Sequence, residues 1–267
     1  MSTVEREDRE GGIVILTLNR PDRLNTLDVT LVSELHAALT VIQEDESVRV
    51  VILTGAGKAF CAGLDLNGYG DDDRVEREGP MISTFGRQRD IASLVQRIRT
   101  LRPPVIAAVN GAAAGGGLAL VCAADVRLAS TDAVFAVSFI RAGYSACDIG
   151  VSWLLPRLVG VAPAHELMLT GRRFDALEAH RIGLVTRLTE PGAVLDAALT
   201  TAGQILLNPP LSVELTKVGM WAAVETPSFD VSVEFENRQQ MVTAFTEDRA
   251  EATAAFLSKR TPTYSRR

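Results

Sequence analysis

Two apolar, β-branched runs, IVILTL (13–18) and RVVILT (49–54), stand on either side of LDVTLVSELHAALTVIQED (27–45), whose apolar residues recur at helical spacing. A strand that is apolar at every position, rather than at every second one, is buried on both faces, as in a parallel sheet. Parallel strands cannot be joined by a tight turn, so the segment between them must be a crossover. The spacing predicts a helix there, with Asp28 or Thr30 as its N-cap. The pattern then returns. A helix is expected over about 82–101, a strand at VIAAV (105–109), a glycine-led helix from about 116, a strand at ADVRLAS (124–130) and a short one near 134–137. The fold class is therefore α/β, a largely parallel sheet with helices outside it.

Strand signals stop after LVTRLTE (184–190), and residues 191–267 read as amphipathic helices broken at NPP (208–210), ETPS (225–228) and TED (246–248). We divide the chain into an α/β core, 1–190, and a helical region, 191–267. The run DDDRVERE (71–78) interrupts the apolar rhythm and is read as a solvated loop.

Charge and cysteine usage exclude several classes. The formal net charge is −6, and no basic run is long enough to follow a nucleic-acid backbone. No apolar run approaches the ~18 residues that a membrane span needs, and MSTVEREDREGG lacks the apolar centre of a secretory signal. The expected setting is cytoplasmic. Cys61, Cys122 and Cys147 lie in or beside apolar stretches without metal-ligand spacing and are expected as buried free thiols. His36 and His180 sit in helical patterns, His165 lacks the HExxH arrangement, and no metal site is expected.

Two small-residue segments remain. TGAGKAFCAGLDL (54–66) suggests a phosphate loop, but Phe60 stands where GxGxxG needs its third glycine and the Walker spacing is absent. AAAGGGLAL (112–120) runs three glycines into an apolar helix. Glycines at a helix start admit close approach by a ligand, and the first-turn N–H groups favour developing negative charge. Alone, Gly115–Gly117 are as well explained by tight packing. Paired with FCAGLDL, they provide two backbone N–H groups from separate loops, the makings of an oxyanion hole.

The phrases NRPDRLNTL (19–27), VVILTGAGKAFCAGLDL (50–66), RPPVIAAVNGAAAGGGLAL (102–120), LLPRLVG (154–160) and LTGRRFDALEAHRIGLV (169–185) resemble, in that order, the crotonase or enoyl-CoA hydratase/isomerase superfamily. The resemblance covers nearly the whole chain. It implies a spiral of ββα repeats with a C-terminal helical trimerisation region, in a homotrimer or a dimer of trimers. It implies an acyl-CoA substrate, with coenzyme A as part of that substrate and no separate cofactor. By the same resemblance the oxyanion-hole N–H groups are those of Leu64 and Gly116, and Arg23, Leu24, Ala62, Asp65 and Leu66 map to adenine and pantetheine contacts. Lys217, Phe256 and Lys259 map near the coenzyme A tail or a neighbouring subunit's acyl pocket.

The family's hydratases use two acidic residues, which map here to Ala119 and Phe139. Neither can move a proton. There remains Asp148, in SACDIG, where dienoyl-CoA isomerases and naphthoate synthases of the family also carry an aspartate. Asp148 is equally placed to cap the next helix. Phe139 and Tyr144 are expected to line the acyl pocket, and Asp125 is expected to be structural. The expected chemistry is a double-bond shift through an enolate with Asp148 as the one acid/base. Hydration, carbon–carbon chemistry on the same enolate, and silent acyl-CoA binding are the alternatives.

Overall fold

The computed structural model describes residues 2–267. The chain opens with β1 (Val4–Arg9), β2 (Ile13–Leu18), α1 (Val29–Glu44), β3 (Val50–Gly55), β4 (Ala59–Cys61), α2 (Asp72–Glu78) and α3 (Pro80–Thr100). It continues with β5 (Val105–Val109), β6 (Ala112–Ala114), α4 (Gly116–Ala123), β7 (Val126–Ser130), β8 (Val134–Ala136), α5 (Val151–Val159) and α6 (Val161–Thr170). Then come β9 (Arg173–Asp175), α7 (Ala176–Arg181), β10 (Arg187–Thr189), α8 (Val194–Leu206), α9 (Pro210–Glu225), α10 (Phe229–Ala244) and α11 (Glu247–Leu257).

The strands form a six-stranded sheet, β1-β2-β3-β5-β7-β10, and a four-stranded sheet, β4-β6-β8-β9. Each pass of the chain adds one strand to the large sheet, one to the small sheet and then helix: β3-β4-α2/α3, β5-β6-α4, β7-β8-α5/α6. This is the expected spiral of ββα repeats. In the large sheet β2, β3, β5, β7 and β10 run parallel, and β3 and β5 are buried at every position. That is why their sequences show no polar alternation.

One face of the large sheet meets α1, α3 and α4 in the main core. Its other face, carrying Ile13, Ile15, Val50, Ile52, Ile106, Ala108 and Leu128, is covered by Val194, Ala198 and Ala202 of α8. The helical region thus begins with a helix that completes the core. The next helix, α9, is tied to it at one buried point. Lys217 Nζ lies 2.8 Å from Asp125 Oδ2 and donates to the carbonyls of Ile98 and Pro103, and Trp221 Nε1 donates to Asp125 Oδ1 at 3.0 Å. Lys217 therefore belongs to the interior, and the expectation that it reaches a ligand is corrected. Its ammonium is held below the ordinary lysine range by burial, against the attraction of Asp125. Asp125 is structural, as expected.

Two further expectations change, for 71–78 and Cys147, and one strand, β1, had no sequence signal. DDDRVERE is α2, with Asp72 and Asp73 in its first turn, Arg77 in its last, and an Arg74–Glu78 pair at 2.9 Å one turn apart. Those charges complement the helix dipole and stabilise a segment with no apolar stripe. β1 (VEREDR) has no apolar run either, and pairs antiparallel with β2 from Val4↔Leu18 to Arg9↔Ile13. An edge strand with one solvated side needs little apolar content. Cys147 is exposed, whereas Cys61 and Cys122 are buried. Among the described residues no helix is long and apolar enough to cross a membrane.

Candidate active site

The three glycines at the head of α4 serve three different needs. Gly115 has φ +50°, a left-handed conformation that favours glycine. A Cβ on Gly117 would stand 1.9 Å from the Cys61 carbonyl oxygen, so this glycine lets α4 lie against β4. Gly116 faces the opening: a Cβ there would meet Leu27 Cδ1 at 2.6 Å and Gly63 Cα at 3.8 Å. The two small-residue segments therefore touch at Gly63 and Gly116.

The loop after β4 is shaped by pairing with residues 24–27. Ala62 N–H donates to the Leu24 carbonyl at 3.0 Å, Leu27 N–H to Gly63 at 2.7 Å, and Asp65 N–H to Leu27 at 3.0 Å. These bonds engage the amides of Ala62 and Asp65. Among the described residues the Leu64 and Gly116 N–H groups donate to no backbone or side-chain acceptor. Two unengaged donors on adjoining loops are what a developing oxyanion requires.

The 24–27 loop is in turn fixed by Arg20 and Asn25, in a sharp turn where Leu24 (φ 52°) and Asn25 (φ 55°) are both left-handed. Asn25 is fully buried; its Oδ1 accepts from Arg20 N–H at 2.8 Å and its Nδ2 donates to the carbonyls of Ala59 and Ala56 at 2.7 and 2.9 Å. Arg20 Nη2 lies 3.0 Å from both Asp28 Oδ2 and Asp65 Oδ2. Burial pushes the Asp65 carboxyl up, but hydrogen bonds from Asn67, Arg20 and Thr26 and the Arg20 charge outweigh it and hold it below the usual carboxylate range.

Over these loops lies a cavity of about 690 Å³, floored by β6 and β8 and walled by α3 and the 138–149 loop. It is lined by Leu24, Ala62, Leu64, Leu66, Gly116, Phe139, Tyr144 and Asp148 of the residues singled out in the sequence. Arg23 and Asp65 do not line it: Arg23 is exposed, and the Asp65 side chain is taken up by Arg20. The Asp65 side chain thus holds the loop rather than facing the cavity. Ala119 is fully buried and forms no part of the lining, while Phe139 Cε1 stands within 3.6 Å of a Cβ placed on Gly115.

Asp148 lies two residues before the Gly150 N-cap of α5, and no side chain caps that helix. Its Oδ1 accepts from Ile149 N–H at 2.8 Å and from Gln88 Nε2 on α3, while Oδ2 accepts from no protein group among the described residues. Ile149 has φ 36° and Gly150 φ 89°. A β-branched residue there is strained, and this kink sets Asp148 at the cavity wall rather than on the helix. Asp148 is the one carboxylate among the described lining residues. Beneath the site, burial pushes the Cys61 thiol up to about 12, which leaves it neutral and inert.

The profile of the family described as "Enoyl-CoA hydratase/isomerase" matches residues 8–267. The chain belongs to the enoyl-CoA hydratase/isomerase family. It is 39% identical over 266 residues to the probable enoyl-CoA hydratase of Mycobacterium tuberculosis, covering 99% of this chain and 93% of that one. It is 35% identical over 257 residues to the 1,2-epoxyphenylacetyl-CoA isomerase of Escherichia coli, with 96% of each chain covered. A crystal structure of a probable enoyl-CoA hydratase/isomerase from Mycobacterium abscessus superposes with a TM-score of 0.91 at 35% identity, over 100% of both chains. The crotonase fold and membership of an acyl-CoA enzyme family are thereby established.

Several lining residues of this enoyl-CoA hydratase/isomerase family member escaped the sequence reading: Thr84, Arg87, Gln88 and Ile91 on α3, with Arg141 and Arg173. For the α3 residues a signal was present. Thr84, Gln88 and Ile91 fall at helical spacing, a stripe that runs into the buried positions Leu94, Val95 and Ile98. Arg20 and Asn25 stood within NRPDRLNTL, but only their contacts reveal that they hold the loop.

Proposed function

We propose that this protein shifts a carbon–carbon double bond in an enoyl- or dienoyl-CoA, with Asp148 as the one acid/base. The observation that carries the reading is that, among the described residues, Asp148 is the single carboxylate lining the cavity and its Oδ2 is unengaged. In the proposed pose the thioester carbonyl oxygen lies between the Leu64 and Gly116 N–H groups. Electrostatic stabilisation by preorganised donors lowers the cost of the enolate. Leu24, Ala62 and Leu66 would flank the pantetheine, and Phe139 and Tyr144 the acyl chain. Starting from a 3-enoyl thioester, Asp148 removes a proton from C2 and the C2–H electron pair flows into the thioester dienolate. The same carboxyl returns a proton at C4, and the double bond is left at C2–C3. Atoms balance without water, whereas hydration needs both an activated water and a proton donor to carbon.

Both kinds of relative bear on this reading, since one is named a hydratase and another an isomerase. Alanine and phenylalanine at 119 and 139 favour isomerisation over two-carboxylate hydration, and they equally favour a second reading, an acyl-CoA binder without turnover. The test is mass spectrometry of 2-enoyl-, 3-enoyl- and 3,5-dienoyl-CoAs incubated with the protein in D₂O, beside Asp148→Asn. Double-bond migration or deuterium uptake that depends on Asp148, without added water, supports the isomerase. A product heavier by water overturns it in favour of hydration, and bound but unchanged thioesters overturn it in favour of silent binding. Consumption of a bulky aromatic acyl-CoA alone would move the proposal to carbon–carbon chemistry on the same enolate.

For the chain as a whole, we propose that 1–190 binds the acyl-CoA while 191–267 assembles a homotrimer or dimer of trimers and covers the pocket. In support, α10, α11 and the turn between them leave Phe229, Phe245, Phe256 and Leu257 exposed in the single chain.

A further inference from the structure

Resting on the proton-shuttle reading of Asp148, we infer that Gln88 is a positioning residue: its amide fixes the Asp148 carboxylate so that Oδ2 is the atom that takes and returns the substrate proton. The juxtaposition is direct. Gln88 Nε2 donates to Asp148 Oδ1, both side chains line the cavity, and they come from elements 60 residues apart.

The polarity of the contact is set by the donor inventory. An ionised carboxylate only accepts, and Oδ1 already accepts from Ile149 N–H, so the Gln88 amide must present its NH₂ there. The Ile149 bond alone closes a small local ring and leaves the carboxylate torsion broad, because rotation about an sp³–sp² bond has shallow wells. A second donor on the same oxygen, arriving from α3, restricts that rotation. The helix can hold such a donor in place because its buried face, Ile91, Leu94, Val95 and Ile98, is packed into the main core.

The consequence concerns the interval between the two proton transfers. Once Asp148 holds the substrate's proton, a carboxyl fixed with Oδ2 toward the enolate returns the same proton. One free to turn exposes the proton to solvent. Gln88 thus acts on how often the original proton comes back, as well as on rate.

The experiment compares Gln88→Met, which keeps the length and packing of the side chain without a donor, with Gln88→Ala, Asp148→Asn and the Gln88→Met/Asp148→Asn double variant. Each is assayed by turnover of an isomerised enoyl-CoA and by the deuterium content of product formed in D₂O. A lost hydrogen bond to a charged group corresponds to about a tenfold fall in kcat. We expect that fall in Gln88→Met with KM within about twofold, more solvent deuterium per product molecule, and no further loss in the double variant, as coupled residues require. Full activity and unchanged label in Gln88→Met overturn the inference, as does a Gln88→Ala defect that methionine repairs, since that is a role in shape. If Asp148→Asn itself retains turnover, the reading of Asp148 fails first. If Asp148→Asn is inactive and Gln88→Met is normal, this inference alone fails.

Discussion

Asp125 and Asp148 are the same side chain in two opposite situations. At the junction of α4 and β7, Asp125 uses both oxygens inside the protein: Oδ2 takes Val105 N–H and Lys217, each at 2.8 Å, and Oδ1 takes Trp221. Its side chain and that of Lys217 are each only 4% exposed. In the loop before α5, Asp148 is half-buried at a cavity, with one oxygen held and the other unengaged. A buried carboxylate is stable only when every lone pair is satisfied, and satisfying them leaves it no capacity for chemistry. A carboxylate at a cavity wall can keep an oxygen unpaired because the cavity admits water or substrate. How the oxygens are used, more than the residue type, separates a structural aspartate from a candidate base.

The sharpest way to break that contrast is Asp125→Ala. It leaves the Lys217 ammonium buried without its partner, which should cost about 3–5 kcal/mol of stability by denaturant unfolding. Activity per folded molecule should persist. Lys217→Met in the same background should recover part of the loss, because no uncompensated charge then remains. The reverse pattern is expected of Asp148→Asn: turnover falls by about 10²–10⁴-fold, while the thermal midpoint stays within about 1 °C, as for a partly exposed substitution. A loss of stability as large as that of Asp125→Ala would place Asp148 with the structural group.

Smaller effects sharpen the picture around the oxyanion loops. Gly117→Ala drives a methyl into the Cys61 carbonyl and should cost about 1–3 kcal/mol, measured by unfolding. Gly116→Ala crowds only the flexible end of Leu27, its other neighbours being at ordinary contact distance, and should cost less stability while weakening acyl-CoA turnover. Asp65→Asn should cost about 1–2 kcal/mol at neutral pH through its weakened bonds to Arg20 and Thr26. Because the folded Asp65 carboxyl is held below its unfolded value, its contribution is complete above the ordinary carboxylate range. It is lost as pH falls through the depressed folded value. The gap in thermal midpoint between the parent and Asp65→Asn should therefore narrow as the pH is lowered from 7 toward 3.

The same contrast explains which elements could be read in advance. The β-branched runs at 13–18 and 50–54, and the helical stripe between them, announce β2, α1 and β3, because burial on both faces leaves no choice of residue. α2 and β1 announce nothing, since their stability comes from charge pairs and from an edge-strand ladder rather than from an apolar pattern. Lys217 misleads for a related reason. A lysine in a helical stretch is ordinarily solvated, and only the meeting of α9 with Asp125 shows that this one is interior.

By itself, then, the sequence determined the order of β2, α1, β3, α3, β5, α4 and β7, the glycines at the head of α4, and the absence of any carboxyl at positions 119 and 139. These are local facts, imposed by backbone freedom, hydrophobic burial and side-chain chemistry. Only the tertiary structure decided which distant groups share a space: Gln88 with Asp148 across 60 residues, and Trp221 with Asp125 across 96. Such pairings arise from how whole helices seat on the two sheets, and no spacing within a single segment encodes them. It was packing that engaged every oxygen of one aspartate and left one oxygen of the other facing the cavity.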